Sequence, residues 1–153
     1  MKRILIKDLV PGLVSGVEVQ MPGAGPLYQE NYFEWTPSSL VAKLQTHEVS
    51  GGVLRAWHHT AIFREVETHS DAEMFFFVSG VSLMLFMDIH QGQPVPETAQ
   101  VVRILPGTQI VITENKAHFV PLAEGDIPVE IIVVAPKMAA PRMTLPVEIE
   151  GIR

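Results

Sequence analysis

Short runs of β-branched and other apolar residues, separated by glycine and proline, recur along this chain of 153 residues. Valine occurs 19 times and isoleucine 12 times, and such side chains are stiff at χ1 and pack well on a pleated surface. The clearest runs cover residues 74–78, 81–87, 101–105, 109–113 and 129–135. Many short strands at this spacing predict an all-β sandwich or barrel rather than a parallel α/β sheet.

The segment 36–49 can be interpreted in two ways. It begins with an N-cap threonine followed by proline, and its apolar residues share one helical face, which predicts a short helix. It also fits a strand that turns at Gly51 and Gly52 into a second strand over 53–59. We therefore expect one or two short helices at most.

The length allows one domain with one sizeable core, and no linker divides the chain. We expect an N-terminal elaboration over residues 1–52, a barrel core over 53–135 and a C-terminal tail over 136–153. Three prolines in the tail predict that it is neither helix nor central strand and that it wraps the outside. Two further prolines predict a loop over residues 90–97.

Charge and composition exclude several classes of protein. The 17 acidic and 11 basic residues leave a net charge of −6, whereas nucleic-acid binding needs clustered lysine and arginine. The absence of cysteine excludes disulfides, thiol catalysis and thiolate metal sites. The apolar stretches are far shorter than the roughly 20 residues that cross a bilayer, and the first residues do not form a signal peptide. We therefore expect a cytoplasmic protein that binds neither nucleic acid nor membrane.

Four residues could carry chemistry. Glu67 and His69 are two positions apart, so on a strand they point to the same face. Glu73 opens a strongly apolar strand, where a carboxylate is costly to bury unless it is paired or bound to a cation. If that strand lies near His118 in a barrel, then His69, Glu73 and His118 converge as the two-imidazole, one-carboxylate set of a divalent metal site. Glu67 is then a fourth ligand, a general base or a solvent-facing charge.

A second candidate group precedes these residues. Arg55, Trp57 and His59 share one parity, and His58 faces the opposite way. If the first three line the barrel wall, Arg55 could bind a substrate carboxylate through two hydrogen bonds. The alternative is an outer sheet face or a dimer contact.

The spacing of His69, Glu73 and Gly80 resembles the first motif of the cupin superfamily. Gly107 and His118 match the spacing of its second motif, in which Thr113, Asn115 and Leu122 replace the usual Pro, Gly and Asn. This resemblance covers about half of the chain. It implies a jelly-roll barrel, or double-stranded β-helix, with a divalent metal such as Zn, Mn, Fe or Ni held by His69, Glu73 and His118.

Within the cupins, the chain is most similar to the ureidoglycolate lyase family. Glu67-Thr-His69 resembles that family's Glu-x-His segment, and Asn115, His118 and Pro121-Leu122 resemble its second motif; Glu73 departs from that family and matches the general cupin motif. The resemblance implies a homodimer that cleaves ureidoglycolate, a small anionic substrate, to glyoxylate and urea. For such a reaction we expect Glu67 to act as the base and Arg55 to orient the substrate carboxylate, so that both are catalytic residues. The alternatives are another metal-dependent cupin reaction, such as sugar isomerisation or oxygenation of a small acid, and a non-catalytic cupin that binds a small molecule.

Overall fold

The structure, a computed structural model, describes residues 1–153 and consists of strands and irregular segments without a helix. The predicted all-β architecture is therefore confirmed. No helix capable of spanning a bilayer is present. The strands are β1 (Lys2–Leu5), β2 (Lys7–Asp8), β3 (Val17–Gln20), β4 (Tyr28–Gln29), β5 (Glu34–Trp35), β6 (Val49–Ala56), β7 (Ile62–Glu67), β8 (Glu73–Ser79), β9 (Ser82–His90), β10 (Gln93–Ile104), β11 (Gln109–Ile112), β12 (Ala117–His118), β13 (Leu122–Ala123), β14 (Val129–Pro136) and β15 (Arg142–Ile152).

Two sheets form the body of the molecule. The eight-stranded sheet has the order β1-β15-β7-β12-β9-β10-β2, with β13 paired to β9, and the five-stranded sheet has the order β3-β11-β8-β14-β6. Most neighbouring strands are antiparallel, whereas β1–β15 and β2–β10 are parallel. Strands β4 and β5 form a separate small hairpin.

The two faces of β9 pack into two different cores. Met84 and Phe86 join residues of the five-stranded sheet in the main core. Leu85 and Met87 join a second core formed by β7, β9, β10 and β15. All four side chains are fully buried, and each such side chain stabilises the fold by about 1.5–3 kcal/mol. This double burial explains why residues 83–87 of β9 are all apolar, rather than every second one.

The C-terminal tail differs from its prediction, because β15 is an interior strand that pairs with β1 on one side and β7 on the other. Its Pro146 is accommodated where the register shifts, between Thr144 and Ile149. The loop predicted over residues 90–97 is also wrong, since Pro94 and Pro96 lie within β10, beside another register shift. Proline cannot donate to a ladder hydrogen bond, but at an irregularity of this kind it does not need to.

Residues 36–48 form neither the predicted helix nor the predicted strand; they lie across the molecule as an irregular strap. Gln20 anchors one end, accepting a hydrogen bond from the hydroxyl of Ser39 at 2.8 Å. Asp71 anchors the other, accepting from the backbone N–H of Gln45 at 2.9 Å. These side-chain contacts, distant in sequence, override the local helical pattern.

The two glycines at 51 and 52 lie inside β6 rather than in a turn. A Cβ atom at Gly51 would stand 2.0 Å from the carbonyl oxygen of Val133 on β14, whereas one at Gly52 would meet nothing within 4 Å. Gly51 is therefore required by the close approach of two backbones, not by a turn.

A partly exposed cluster of ion pairs around Arg103 joins three segments of the chain. Arg103 on β10 donates from Nε to both carboxylate oxygens of Glu124, at 3.0 and 2.9 Å, and lies 3.4 Å from Asp8. The hydrogen bond to Glu124 is the main reason that the pKa of Arg103 is raised above its ordinary value. Arg103 therefore keeps its charge over the accessible pH range.

Candidate metal centre

Four ionisable side chains meet at one end of the barrel. Glu67 ends β7 and lies directly opposite His118, which ends β12. His69 follows β7 by two residues, and Glu73 begins β8. The structure thus brings together all four residues that the sequence singled out around the two motifs.

The donor atoms of these residues are close to one another. Glu73 Oε2 lies 3.1 Å from His118 Nε2 and 3.3 Å from His69 Nε2. Glu67 Oε1 lies 3.9 Å from His69 Nε2, and one ligand atom each of Glu67, His69 and His118 fall within 4.8 Å of one another. His69 and His118 could therefore bind a metal ion together with either Glu73 or Glu67, which gives two possible sets of three ligands.

Hydrogen bonds on the far side of each ring define which nitrogen faces the cluster. His69 Nδ1 donates to the carbonyl oxygen of Ala139 at 3.1 Å, and His118 Nδ1 donates to that of Lys116 at 3.0 Å. A carbonyl only accepts, so both Nδ1 atoms carry hydrogen, and in a neutral imidazole the Nε2 lone pair is then free. Both Nε2 atoms face the carboxylates, which is the arrangement found around metal-binding histidines.

Two buried polar atoms of the cluster have no hydrogen-bond partner. Glu73 Oε2 and His118 Nε2 are buried without a hydrogen-bond partner, and His118 is only 2% exposed. Buried acceptors that face each other are costly unless a proton or a metal ion lies between them. Two imidazoles and one or two carboxylates form a donor set suited to Zn, Mn, Fe or Ni. These residues therefore fit a divalent metal.

Aromatic side chains close the inner side of the cluster. The ring of Phe75 meets the His118 ring edge-on at 6.2 Å, and Phe86 lies at 6.4 Å from it. Both phenylalanines belong to the main core. An apolar wall of this kind excludes water and strengthens electrostatic interactions within the site.

Arg142 provides a cation beside the cluster that the sequence did not reveal. It begins β15 directly opposite Glu67, with its Nε 3.9 Å from Glu67 Oε2. Its Nη1 donates to Glu65 at 3.0 Å, and the guanidinium lies 5.2 Å from the centre of the Phe119 ring. More than half of the Arg142 side chain is exposed, at 56%, so it lies at the solvent side of the cluster.

Arg55 does not join this site. Its neighbours Leu54 and Ala56 pack against the main core, so strand alternation directs Arg55 outward, where it pairs with Glu130 at 3.2 Å. Trp57 is likewise 66% exposed. The expectation that Arg55 and Trp57 line the barrel wall is therefore wrong. The residues of β6 that point into the core are Leu54 and Ala56, so the alternate residues of that strand point outward.

The two neighbouring histidines contact backbone carbonyl groups outside the cluster. His58 Nδ1 lies 3.2 Å from the carbonyl oxygen of Ala123, and His59 Nδ1 lies 2.8 Å from that of Thr60. His59, the third member of the predicted group, is exposed.

Five surface cavities have volumes of about 220–390 Å³, and none of these five is lined by the four cluster side chains. A cavity of about 230 Å³ adjoins the cluster, because its walls include Ser70, which follows His69, and Lys137, near Ala139. Glu67, with 16% of its side chain exposed, and Arg142 are the parts of the site nearest to solvent.

Comparison with known proteins identifies the fold. The chain is similar to dTDP-6-deoxy-D-glucose-3,5-epimerase RmlC from Legionella pneumophila in complex with dTDP-4-keto-L-rhamnose (TM-score 0.55, 10% identity, 88% of this chain and 75% of that one). It is also similar to RmlC from Streptococcus suis in complex with dTDP-D-xylose (TM-score 0.50, 12% identity, 90% and 73%). A Bacillus subtilis oxalate decarboxylase aligns with a TM-score of 0.46 at 15% identity over 64% of this chain.

These structures are cupin jelly-roll proteins, and the two epimerases show that the present chain has the cupin fold. At 10–12% identity the likeness concerns the fold alone. The chain spans about a quarter (24%) of the length of the decarboxylase. No protein-family model matches the sequence, and no curated protein matches it.

Proposed function

We propose that this cupin domain binds a divalent metal through His69, His118 and a carboxylate of Glu73 or Glu67, and acts as an enzyme on a small carboxylate or hydroxy acid. The observation that supports this proposal is the buried Glu73 Oε2, without a hydrogen-bond partner, 3.1 and 3.3 Å from two imidazole Nε2 atoms. Because both Nδ1–H groups donate to carbonyl oxygens, the ring nitrogens that face the carboxylate are available as ligands.

The reaction that we favour is cleavage of ureidoglycolate to glyoxylate and urea, by the resemblance of Glu67-Thr-His69 to the lyase family. A bound divalent ion supplies Lewis acidity toward substrate oxygen atoms. Glu67 takes the proton of the carbinol hydroxyl, the carbonyl of glyoxylate forms, and the C–N bond breaks with its electron pair on nitrogen. That nitrogen then takes up the proton and leaves as urea, so the step needs no oxidant or reductant.

Arg142 takes the role expected of Arg55 in binding the substrate carboxylate. A protein of net charge −6 needs a local cation to hold an anion, and Arg142 is the arginine beside Glu67. Only Nη1 makes a hydrogen bond within the chain. The remaining N–H groups of the fork can therefore meet a carboxylate in the two-bond geometry that guanidinium favours.

The test is to load the purified protein with Zn, Mn, Fe or Ni, add ureidoglycolate and follow glyoxylate. We expect metal-dependent glyoxylate release that is lost in Glu67→Gln, while that variant keeps its metal through Glu73. A metal-loaded protein that releases no glyoxylate above background would overturn the lyase proposal. Oxygen consumption with a small hydroxy acid would instead indicate an oxygenase.

A second candidate, a non-catalytic cupin that binds a small anion, is favoured by one observation. The cluster has little access from solvent, because its side chains line none of these five cavities and His118 is almost inaccessible. Binding of glycolate or oxalate to the metal-loaded protein, measured by calorimetry, together with no turnover of ureidoglycolate, would support this candidate over the enzyme.

We also propose that the chain forms a homodimer through the outer face of β6, β14 and β8. The cross-strand row Val53, Ile132 and Phe76 lies on that face, with Val53 at 61% and Ile132 at 45% exposure. A sheet face in water is normally polar. Strand β6 is also an edge that pairs with β14 over eight residues without a bulge, and a second copy can cover such an edge by two-fold pairing.

Light scattering after gel filtration tests the dimer. We expect a dimer for the wild-type chain and a monomer for Val53→Lys, while Val41→Lys, which changes an equally exposed valine (68%) on the strap, stays dimeric. A wild-type monomer at tens of micromolar would contradict the proposal.

A further inference from the structure

The ion pair between Lys116 and Asp88 is unusual because the lysine is buried. The side chain of Lys116 is only 8% exposed, and its Nζ lies 2.6 Å from Asp88 Oδ1. Burying an ammonium group is costly even when it is paired, and apolar residues would fill the same space at lower cost. The proposed reaction makes no use of this pair.

The position of the pair in the sheet connects it to the metal centre. The antiparallel register of β12 and β9 places Ala117 opposite Met87 and His118 opposite Phe86. Lys116 and Asp88 occupy the next position of that register, so their ion pair extends the β12–β9 contact by one residue. The pair therefore fixes the backbone immediately before His118.

The same stretch of backbone touches both imidazole-bearing segments. The carbonyl oxygen of Lys116 accepts the hydrogen of His118 Nδ1 at 3.0 Å. The N–H of Asn115, whose φ is +60°, donates to the carbonyl oxygen of His69 at 2.8 Å. A displacement of residues 115 and 116 would thus change the orientation of the His118 ring and the position of His69 together.

We propose that Lys116 and Asp88 are positioning residues, which hold the Lys116 carbonyl in place so that His118 keeps its hydrogen on Nδ1 and presents Nε2 to the metal. This inference rests on the proposed metal centre. Loss of a group that orients a metal-binding histidine weakens metal affinity by about 10–100-fold. We expect that range for the loss of this pair.

The test uses Lys116→Met, which keeps the apolar stem without the charge, and Asp88→Asn, which keeps the size. Competition with a chromophoric chelator gives the Zn²⁺ affinity, and ¹⁵N NMR of the metal-free protein gives the tautomer of His118. We expect about 10–100-fold weaker Zn²⁺ binding and a mixed His118 tautomer in both folded variants. Glu150→Gln removes the surface pair with Arg3, at 2.8 Å, and as the matched control it leaves both measurements unchanged.

The outcomes separate the two proposals. A wild-type protein that binds no Zn²⁺ overturns the metal centre, and the His118 tautomer in the metal-free variants then still decides the positioning role. Wild-type affinity together with an unchanged Nδ1–H tautomer in the variants overturns the positioning role and leaves the metal centre intact. If Lys116→Met does not fold, Asp88→Asn alone gives both measurements.

Discussion

Arg142 and Glu67 lie directly opposite each other on β15 and β7, and the Glu67 carboxylate reaches in two directions. One oxygen is 3.9 Å from Arg142 Nε and the other is 3.9 Å from His69 Nε2. Glu67 therefore links a solvent-exposed cation to the buried imidazoles. A carboxylate substrate held by Arg142 would lie one side chain away from the metal centre.

Replacing Arg142 by glutamine should raise KM for ureidoglycolate more than it lowers kcat. A hydrogen bond to a charged group contributes about 1.5–3 kcal/mol, which corresponds to roughly 10–150-fold in affinity. The KM of Arg142→Lys should lie between those of the wild type and Arg142→Gln, because lysine keeps the positive charge but lacks the planar guanidinium group. Steady-state kinetics measures both parameters. Arg64→Gln removes a different exposed arginine, paired with Glu148 at 2.7 Å, and should have wild-type kinetics; an equal effect of both variants would argue against a role for Arg142.

Removal of either imidazole should abolish stoichiometric metal binding. Both three-residue sets need His69 and His118, so neither Glu67 nor Glu73 can compensate for the loss of one ring. Elemental analysis after metal loading and gel filtration checks this expectation for His69→Ala and His118→Ala. His90→Ala, at the exposed end of β9, is the control and should retain its metal. Full metal content in His118→Ala would show that the ion binds elsewhere.

Metal should also stabilise the folded chain. An ion that binds only the native state at 100 times its Kd contributes about 2.7 kcal/mol. For a domain of this size that energy raises Tm by roughly 5–10 °C. Thermal unfolding followed by circular dichroism should show the increase, its reversal by a chelator and its absence in His118→Ala. An equal increase in that variant would indicate binding to the surface.

Alanine should destabilise the chain at Gly51 but have little effect at the adjacent Gly52. At Gly51 the added methyl group would meet the Val133 carbonyl oxygen at 2.0 Å, so the β6–β14 pair must separate locally. Overpacking of this kind costs about 1–3 kcal/mol. Gly52→Ala meets open space and should change stability by no more than about 0.5 kcal/mol. Urea unfolding monitored by circular dichroism compares the two variants, and equal stabilities would contradict this packing of the strands.

Three of the cluster residues were predictable because their spacing is local: Glu67, His69 and Glu73 fall within seven positions. The fourth, His118, was predictable only through its separate motif, in which it follows Gly107 by eleven positions. Arg142 was not predictable, because it arrives on a strand interrupted by Pro146 whose pairing with β7 depends on a register shift. Arg55 was placed on the wrong side because both parities of β6 carry apolar residues. Alternation alone could not decide between Leu54 and Val53 as the inward position.

The strap over residues 36–48 shows the same limit. Its sequence carries a helical pattern, but the amide of Gln20 and the carboxylate of Asp71 hold it extended. The sequence of residues 36–48 alone does not indicate that Gln20 and Asp71 bind this segment. Strands β10 and β15 can likewise contain proline because the register shifts where they pair with β9 and β7. Those register shifts could not be predicted from the sequences of β10 and β15 alone.

The hydrogen bond from His69 Nδ1 to the carbonyl of Ala139 has a consequence for how the site is made. His69 leaves the ribosome 70 residues before its acceptor does, and Arg142 follows three residues after Ala139. During synthesis the two motifs can meet and β8 can pair with β11, yet the His69 ring has no fixed tautomer and Glu67 has no cation. The hydrogen bond that fixes His69 and the cation beside Glu67 are therefore in place only when β15 has paired with β7, so we expect a chain that has not yet formed this pair to bind the metal ion more weakly than the folded chain.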